Sequence, residues 1–330
     1  MSTIDLWTCD CCSLTGVAAT GGGAGEPSAH DEEMTALFDK VCNWGRWGKE
    51  DQRGTLNHIG PGEIARAAAL VKDGRSISLS RPFPTQPGTE NPRPAQHFMM
   101  VTGEDRHAPH IPNMEATFDY IGVAFHGLVC THLDALCHIF REGRMYNGRP
   151  ASDVRSRGAI SNSVMESRDG IVGRGVLLDM PLALEMDYIE PSRPITVEDL
   201  EIAERRLGVT VGKGDILTVR IGRDVRPGRG DGKIAGLHPH VGGWLHEREV
   251  ALLGGDGPND VMPPDAQAIW TNPIHELCLV GMGMQLMDNL DLERAAKTCA
   301  ELDRWTFQIV VAPLLIQGAT GSPINPIAIF

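Results

Sequence analysis

Phe125 to Phe140 reads FHGLVCTHLDALCHIF: three imidazoles (His126, His132, His138) and one carboxylate (Asp134) among apolar Leu, Val, Ala and Ile. Imidazole and carboxylate are the ordinary ligands of Zn²⁺ and Mn²⁺. His132 and Asp134 are two apart, so on a strand they point the same way. Their Cα atoms would then lie about 7 Å apart, near enough for the side chains to converge on one ion. His138, further along, can act beside that ion if the chain bends. The competing reading is a partly buried strand whose histidines bond to backbone carbonyls. Asp134 weighs against it, because a buried carboxylate without a partner costs several kcal/mol, and a divalent cation supplies such a partner.

The surrounding chain must present this segment. PGEIARAAALVKDG reads as a helix, with Pro61 in its first turn, Ile64, Ala68 and Val71 on one face, and Gly74 at its end. RSISLSRPF reads as a strand. Pro82 to Asn113 holds seven prolines and reads as a long loop, a candidate binding wall. RGVLLDM, GDILTVRIG, the end of HEREVALLGGDG and WTFQIVVAPLLI read as strands. TVEDLEIAERRLG is a helix capped by Thr196 and Asp199 and stopped by Gly208, and DLERAAKTCAEL is a later helix. Strands outnumber helices and are mixed with them, which predicts an α/β or α+β domain on a β-sheet core, spanning residues 34–330. Residues 1–33 are Gly-rich and acidic and read as a flexible tail.

Composition excludes several classes. The 330 residues are 42% hydrophobic and 22% charged, enough for a sizeable core. The formal charge of −13, with no basic stripe, speaks against nucleic acid as a partner. The longest apolar run, FQIVVAPLLI, is ten residues, about half of what a membrane-spanning helix needs. The first basic residue is Lys40, so a signal peptide is not expected, and the eight cysteines are expected to be reduced in a cytoplasmic setting. CDCC (Cys9, Cys11, Cys12) has no zinc-knuckle spacing. No GxGxxG, Walker A or GxSxG pattern is present, and the stretches at His246 and His275 begin like HExxH but lack the second histidine.

THLDALCHIF resembles the HxGTHxDxPxH signature of the putative cyclase family of metal-dependent hydrolases, which includes kynurenine formamidases and isatin hydrolases. Thr131, His132, Asp134 and His138 match it, while Leu136 stands at its Pro, Cys130 at its Gly and Leu128 at its first His. The resemblance extends through WGKEDQRGTLNHIGPGEIARAAALVKDG, GDILTVRIG and the closing GATGSPINPIAIF. It implies a swivelling β/β/α fold and a divalent metal, zinc or manganese, with no organic cofactor. It also implies a homo-oligomer, a dimer or tetramer. The reaction implied is hydrolysis of an amide, imide or lactone bond of a small, often cyclic substrate, with His138 as the catalytic histidine moving a proton.

Because Leu128 cannot bind a metal, the first ligand is either His126 or Cys130. A straight strand from 126 to 132 would span about 20 Å, so His126 requires a bend, for which Gly127 is placed. The family often holds a second ion between a His and a later carboxylate. HELCLVGMGMQLMDNLDL resembles that segment, with His275 and Asp288 in those places, although Asp288 could instead cap the following helix. His238, His240, His246, Trp44, Trp47 and Asn57 are further candidates to line the site. Arg93, His97, Phe98 and Arg106 are candidates for a wall over it. A lyase or cyclase using the same ion, or a non-catalytic family member, are the alternatives.

Overall fold

The apolar runs do pair side by side. The computed structural model describes residues 29–105, 114–264 and 269–330, and nine strands in them share one sheet. These are β1 (Ser76–Ser78), β2 (His132–Asp134), β3 (Ile171–Asp179), β4 (Ile216–Arg220), β5 (Leu252–Gly255), β6 (Leu286–Asp288), β7 (Thr306–Val311), β8 (Gly321–Pro323) and β9 (Ile327–Ile329). Their order is β1-β9-β7-β3-β4-β5-β6-β2-β8. β3 to β6 run parallel to one another, and every other neighbouring pair is antiparallel. β4 and β5 are buried along their whole length, as parallel strands covered on both faces are.

Helices flank the sheet: α1 (Ala29–Val41), α2 (Pro61–Ala68), α3 (Val197–Leu207), α4 (Val241–Glu247) and α5 (Glu293–Leu302). α2 packs on β3, and α1 on α4. The fold is the expected single domain, a mixed sheet with flanking helices. In α3 the Thr196 hydroxyl accepts from the Asp199 N–H, the Asp199 carboxylate accepts from the Thr196 N–H, and Gly208 closes the helix at φ 63°.

Three sequence expectations shift. α1 begins at Ala29, ahead of the expected boundary at Met34, while the earlier part of the expected tail, CDCC included, lies outside the described residues. α2 stops at Ala68 instead of Gly74. The N–H groups of Leu70 and Val71 donate three residues back, to the Ala67 and Ala68 carbonyls, and those of Asp73 and Gly74 leave the helix to donate to the carbonyl of Phe330. The proline-rich stretch is also not loop throughout. Gln96–Val101 pairs antiparallel with Phe118–Gly122, held across the strands by His97–Asp119 at 2.6 Å and by Phe98 stacked on Tyr120 at 4.8 Å. Among the described residues no helix is long and apolar enough to cross a membrane, and Cys42, Cys130, Cys137, Cys278 and Cys299 are free thiols.

Candidate metal centre

The candidate ligands meet where the parallel part of the sheet reverses direction, between β6 and β2. His132 on β2 is the direct cross-strand partner of Asp288 on β6, so both side chains leave the same face. Two residues along β2, Asp134 points the same way, with its Oδ1 3.4 Å from His132 Nε2. Before β2 the chain bends at Gly127, whose φ of 136° suits glycine. That bend brings His126 back over the strand, with Nδ1 2.9 Å from Asp134 Oδ1. After β2, a turn closed by the His138 N–H on the Ala135 carbonyl returns His138 to the same place. Its Nε2 lies 3.9 Å from Asp134 Oδ1, and its ring stacks on that of His126 at 3.8 Å.

His275 comes from the turn that leads into a π-helical segment, Glu276–Met282, a local irregularity often found at functional sites. Its Nε2 is 3.5 Å from both Asp134 Oδ2 and Asp288 Oδ2. The donors thus form two triads, His126–His132–Asp134 and Asp134–His275–Asp288, each with ligand atoms within 4.8 Å of one another, and Asp134 belongs to both.

The geometry separates the alternatives that the sequence left open. Leu128 is buried in the apolar core. Cys130 lies outside both triads, its Sγ bonded to the Thr131 carbonyl, and burial pushes its thiol up to about 12, so it is neutral. Asp288 does not cap α5, whose N-cap is Leu292. Its Oδ1 accepts from Asn259 and its other oxygen faces His275. The remaining candidates stand elsewhere. His240 pairs with Glu33, and His246 reaches Asn43. His238 stacks edge-on with His240, while Trp44 donates to the Val280 carbonyl. Trp47 packs edge-on against His58, and Asn57 bonds Asp51. Arg93, His97 and Phe98 line an open groove of about 1010 Å³, which Ala124, two residues before His126 in the chain, also lines. Arg106 lies outside the described residues.

Neighbouring groups fix which nitrogen of each imidazole faces the centre. His132 Nδ1 donates to the Cys130 carbonyl at 2.8 Å, and His275 Nδ1 to Asp260 Oδ2 at 2.6 Å, so Nε2 of each faces inward. His126 Nε2 meets the Thr320 hydroxyl at 3.1 Å, which leaves Nδ1 inward. Such outer bonds are what a metal-ligating histidine needs. Sequence reading missed Asp260, Asn259 and Thr320. Asp260 also accepts from the Ile274 N–H, anchoring the turn that carries His275, and no motif marks it.

The electrostatics ask for a cation. Burial alone would raise the Asp134 carboxyl, but His138, His132, His126 and His275 together hold it well below the usual carboxylate range. Burial would lower His275, yet Asp288, Asp134 and Asp260 hold it well above the usual imidazole value. A proton there supplies positive charge among three carboxylates. Even so, among the described residues neither oxygen of Asp134, nor Nδ1 of His126 2.9 Å away, finds a hydrogen-bond partner in good angular geometry, which buried polar atoms rarely tolerate. A divalent ion fits these atoms. The donors are nitrogen and oxygen with no thiolate, a set that zinc and manganese both accept.

Comparison with known proteins bears on the fold and the family. Residues 77–259 match the model of the family described as Putative cyclase. A solved structure described as a novel cyclase is 32% identical, with TM-score 0.80, covering 88% of this chain and 100% of its own. Isatin hydrolase A from Labrenzia aggregata, bound to benzyl benzoate, is 22% identical with TM-score 0.56, covering 79% of this chain and 94% of its own. Isatin hydrolase A from Ralstonia solanacearum is also 22% identical, with TM-score 0.54 and coverage of 81% and 94%. With these two hydrolases the likeness is one of fold. No curated protein sequence matches the chain.

Proposed function

This chain belongs to the putative cyclase family, and on that premise we propose that it is a metal-dependent hydrolase acting on an amide, imide or lactone bond of a small cyclic substrate. The observation that carries the reading is the pair of donor triads sharing Asp134, whose two carboxylate oxygens find no hydrogen-bond partner in good angular geometry among the described residues. His126, His132 and Asp134 would hold one divalent ion, and Asp134, His275 and Asp288 a second. Bound there, such an ion supplies Lewis acidity and water activation near neutral pH.

The chain's own residues account for the rest. His132, Asp134, His275 and Asp288 are buried, whereas the side chains of His126 and His138 are 21% and 12% exposed. Substrate therefore approaches from the His126–His138 side. His138 belongs to neither triad. Its Nε2 is placed to take a proton from the attacking water and pass it to the leaving group, work an imidazole does well because it titrates near neutral pH. The groove lined by Arg93, His97, Phe98 and Ala124 offers a substrate wall with a cation and aromatic surface.

The test is a screen of cyclic amides, imides, lactones and N-formyl aromatics with protein loaded with zinc or manganese, run in ¹⁸O-water. Ring opening with one label in the new carboxylate is the expected result. Turnover without label would point to a lyase or cyclase, and an ion-loaded protein that opens none of them would overturn the reading.

A further inference from the structure

The bend that delivers His126 lies outside the sheet's hydrogen-bond ladder, so something else must hold it. Two side chains do. Asn289, next to Asp288, donates through Nδ2 to the carbonyls of Gly127 at 2.7 Å and Cys130 at 3.2 Å. Arg223 donates through Nη2 to the carbonyl of Leu128 at 2.8 Å. The two are locked together, Arg223 Nη1 donating to Asn289 Oδ1 at 2.8 Å. Asn289 and Arg223 are buried. Glu90, also buried and drawn from the proline-rich segment, accepts from Arg223 at 2.7 Å and balances its charge. The carbonyls of residues 127, 128 and 130 are thus clamped by one unit that grows from the strand carrying Asp288.

We propose that Asn289 and Arg223 form a clasp that positions His126, and so set the affinity of the His126–His132–Asp134 triad for its ion. The inference rests on the metal-site reading above. Neither residue touches the ion or the substrate. They act as positioning residues, and Glu90 ties the same clasp to the proline-rich segment.

The experiment measures binding of Zn²⁺ and Mn²⁺ by calorimetry to the wild type, Asn289→Ala, His126→Ala and the double variant, with thermal melts of each ion-free protein. Loss of outer support for a ligand weakens binding by about 10- to 100-fold, and that is expected of Asn289→Ala. In the His126→Ala background the same change should alter affinity much less, since what remains acts only through the Cys130 carbonyl that orients His132. Arg223→Lys keeps the charge but not the forked bonds, and should weaken binding like Asn289→Ala; Glu90→Gln should do so less. If Asn289→Ala does not fold, Asn289→Asp carries the same comparison, since it keeps the shape and the Arg223 bond but loses both donors to the bend. Equal losses with and without His126, or a lowered melting temperature with unchanged affinity, overturn the clasp. A wild type that binds neither ion overturns the metal site itself.

Discussion

Asp134 and Asp256 are both carboxylates at strand ends in the same sheet, and both are fully buried, yet they are treated in opposite ways. Asp256 follows β5. Its Oδ1 accepts from the Ile221 N–H at 2.8 Å, and its Oδ2 from the N–H groups of Gly222 and Arg223 at 2.9 and 3.1 Å. It is a pin that fixes the turn leaving β4. Asp134, two strands away in the sheet order, accepts no hydrogen bond in bonding geometry and instead faces four imidazoles. Burial is common to both, so burial does not mark function. What differs is the partner: rigid backbone donors satisfy a carboxylate completely, whereas converging imidazoles leave its oxygens for a cation. Imidazoles divide in the same way. His275 is raised among carboxylates, while burial outweighs the Glu249 charge 4.0 Å from His58 and lowers that imidazole to about 4.

Substituting each residue tests this contrast. The largest effect is expected from Asp134→Asn, which removes the donor common to both triads. Elemental analysis of the purified variant should find almost no bound metal and assays no turnover, and a metal content equal to wild type would break the comparison. Next comes His138→Ala, which should keep its metal but lose turnover by about a hundredfold to ten-thousandfold, the usual worth of a positioned acid–base group. Full activity in that variant removes His138 from the mechanism. Asp256→Asn should do the reverse of Asp134→Asn. It leaves N–H groups poorly paired, so denaturant unfolding should show a loss of about 2 kcal/mol, with metal still bound because both triads keep every donor.

The smallest effect on activity belongs to His58. Its folded pKa lies below the ordinary 6.5, at about 4, so between those values the unfolded chain takes up a proton that the folded chain does not. Stability should therefore fall as pH drops from 6.5 to about 4. His58→Gln should remove most of that fall, up to about 3 kcal/mol, read from chemical unfolding across the pH range. An unchanged slope would show that His58 is not held neutral.

Much of this was legible in the chain itself. Periodicity and end signals located the strands and helices because they are local properties: Thr196, Asp199 and Gly208 delimit a helix wherever it is placed. His132 and Asp134 were legible for a similar reason, since alternation on a strand puts them on one face. His275 and Asp288 came from resemblance, and the chain alone could not join them to Asp134, because that contact depends on β6 pairing with β2 across more than a hundred residues. The tertiary structure alone shows that His126 reaches Asp134 while Cys130 stays outside both triads. The difference follows from a glycine bend held by Asn289 and Arg223, contacts that no spacing encodes. It also supplied Asp260 and Thr320, which act by orienting a ring and carry no pattern of their own. Sequence order fixes which groups are available and their local geometry, whereas convergence on one point is decided by strand order and by the packing of distant segments.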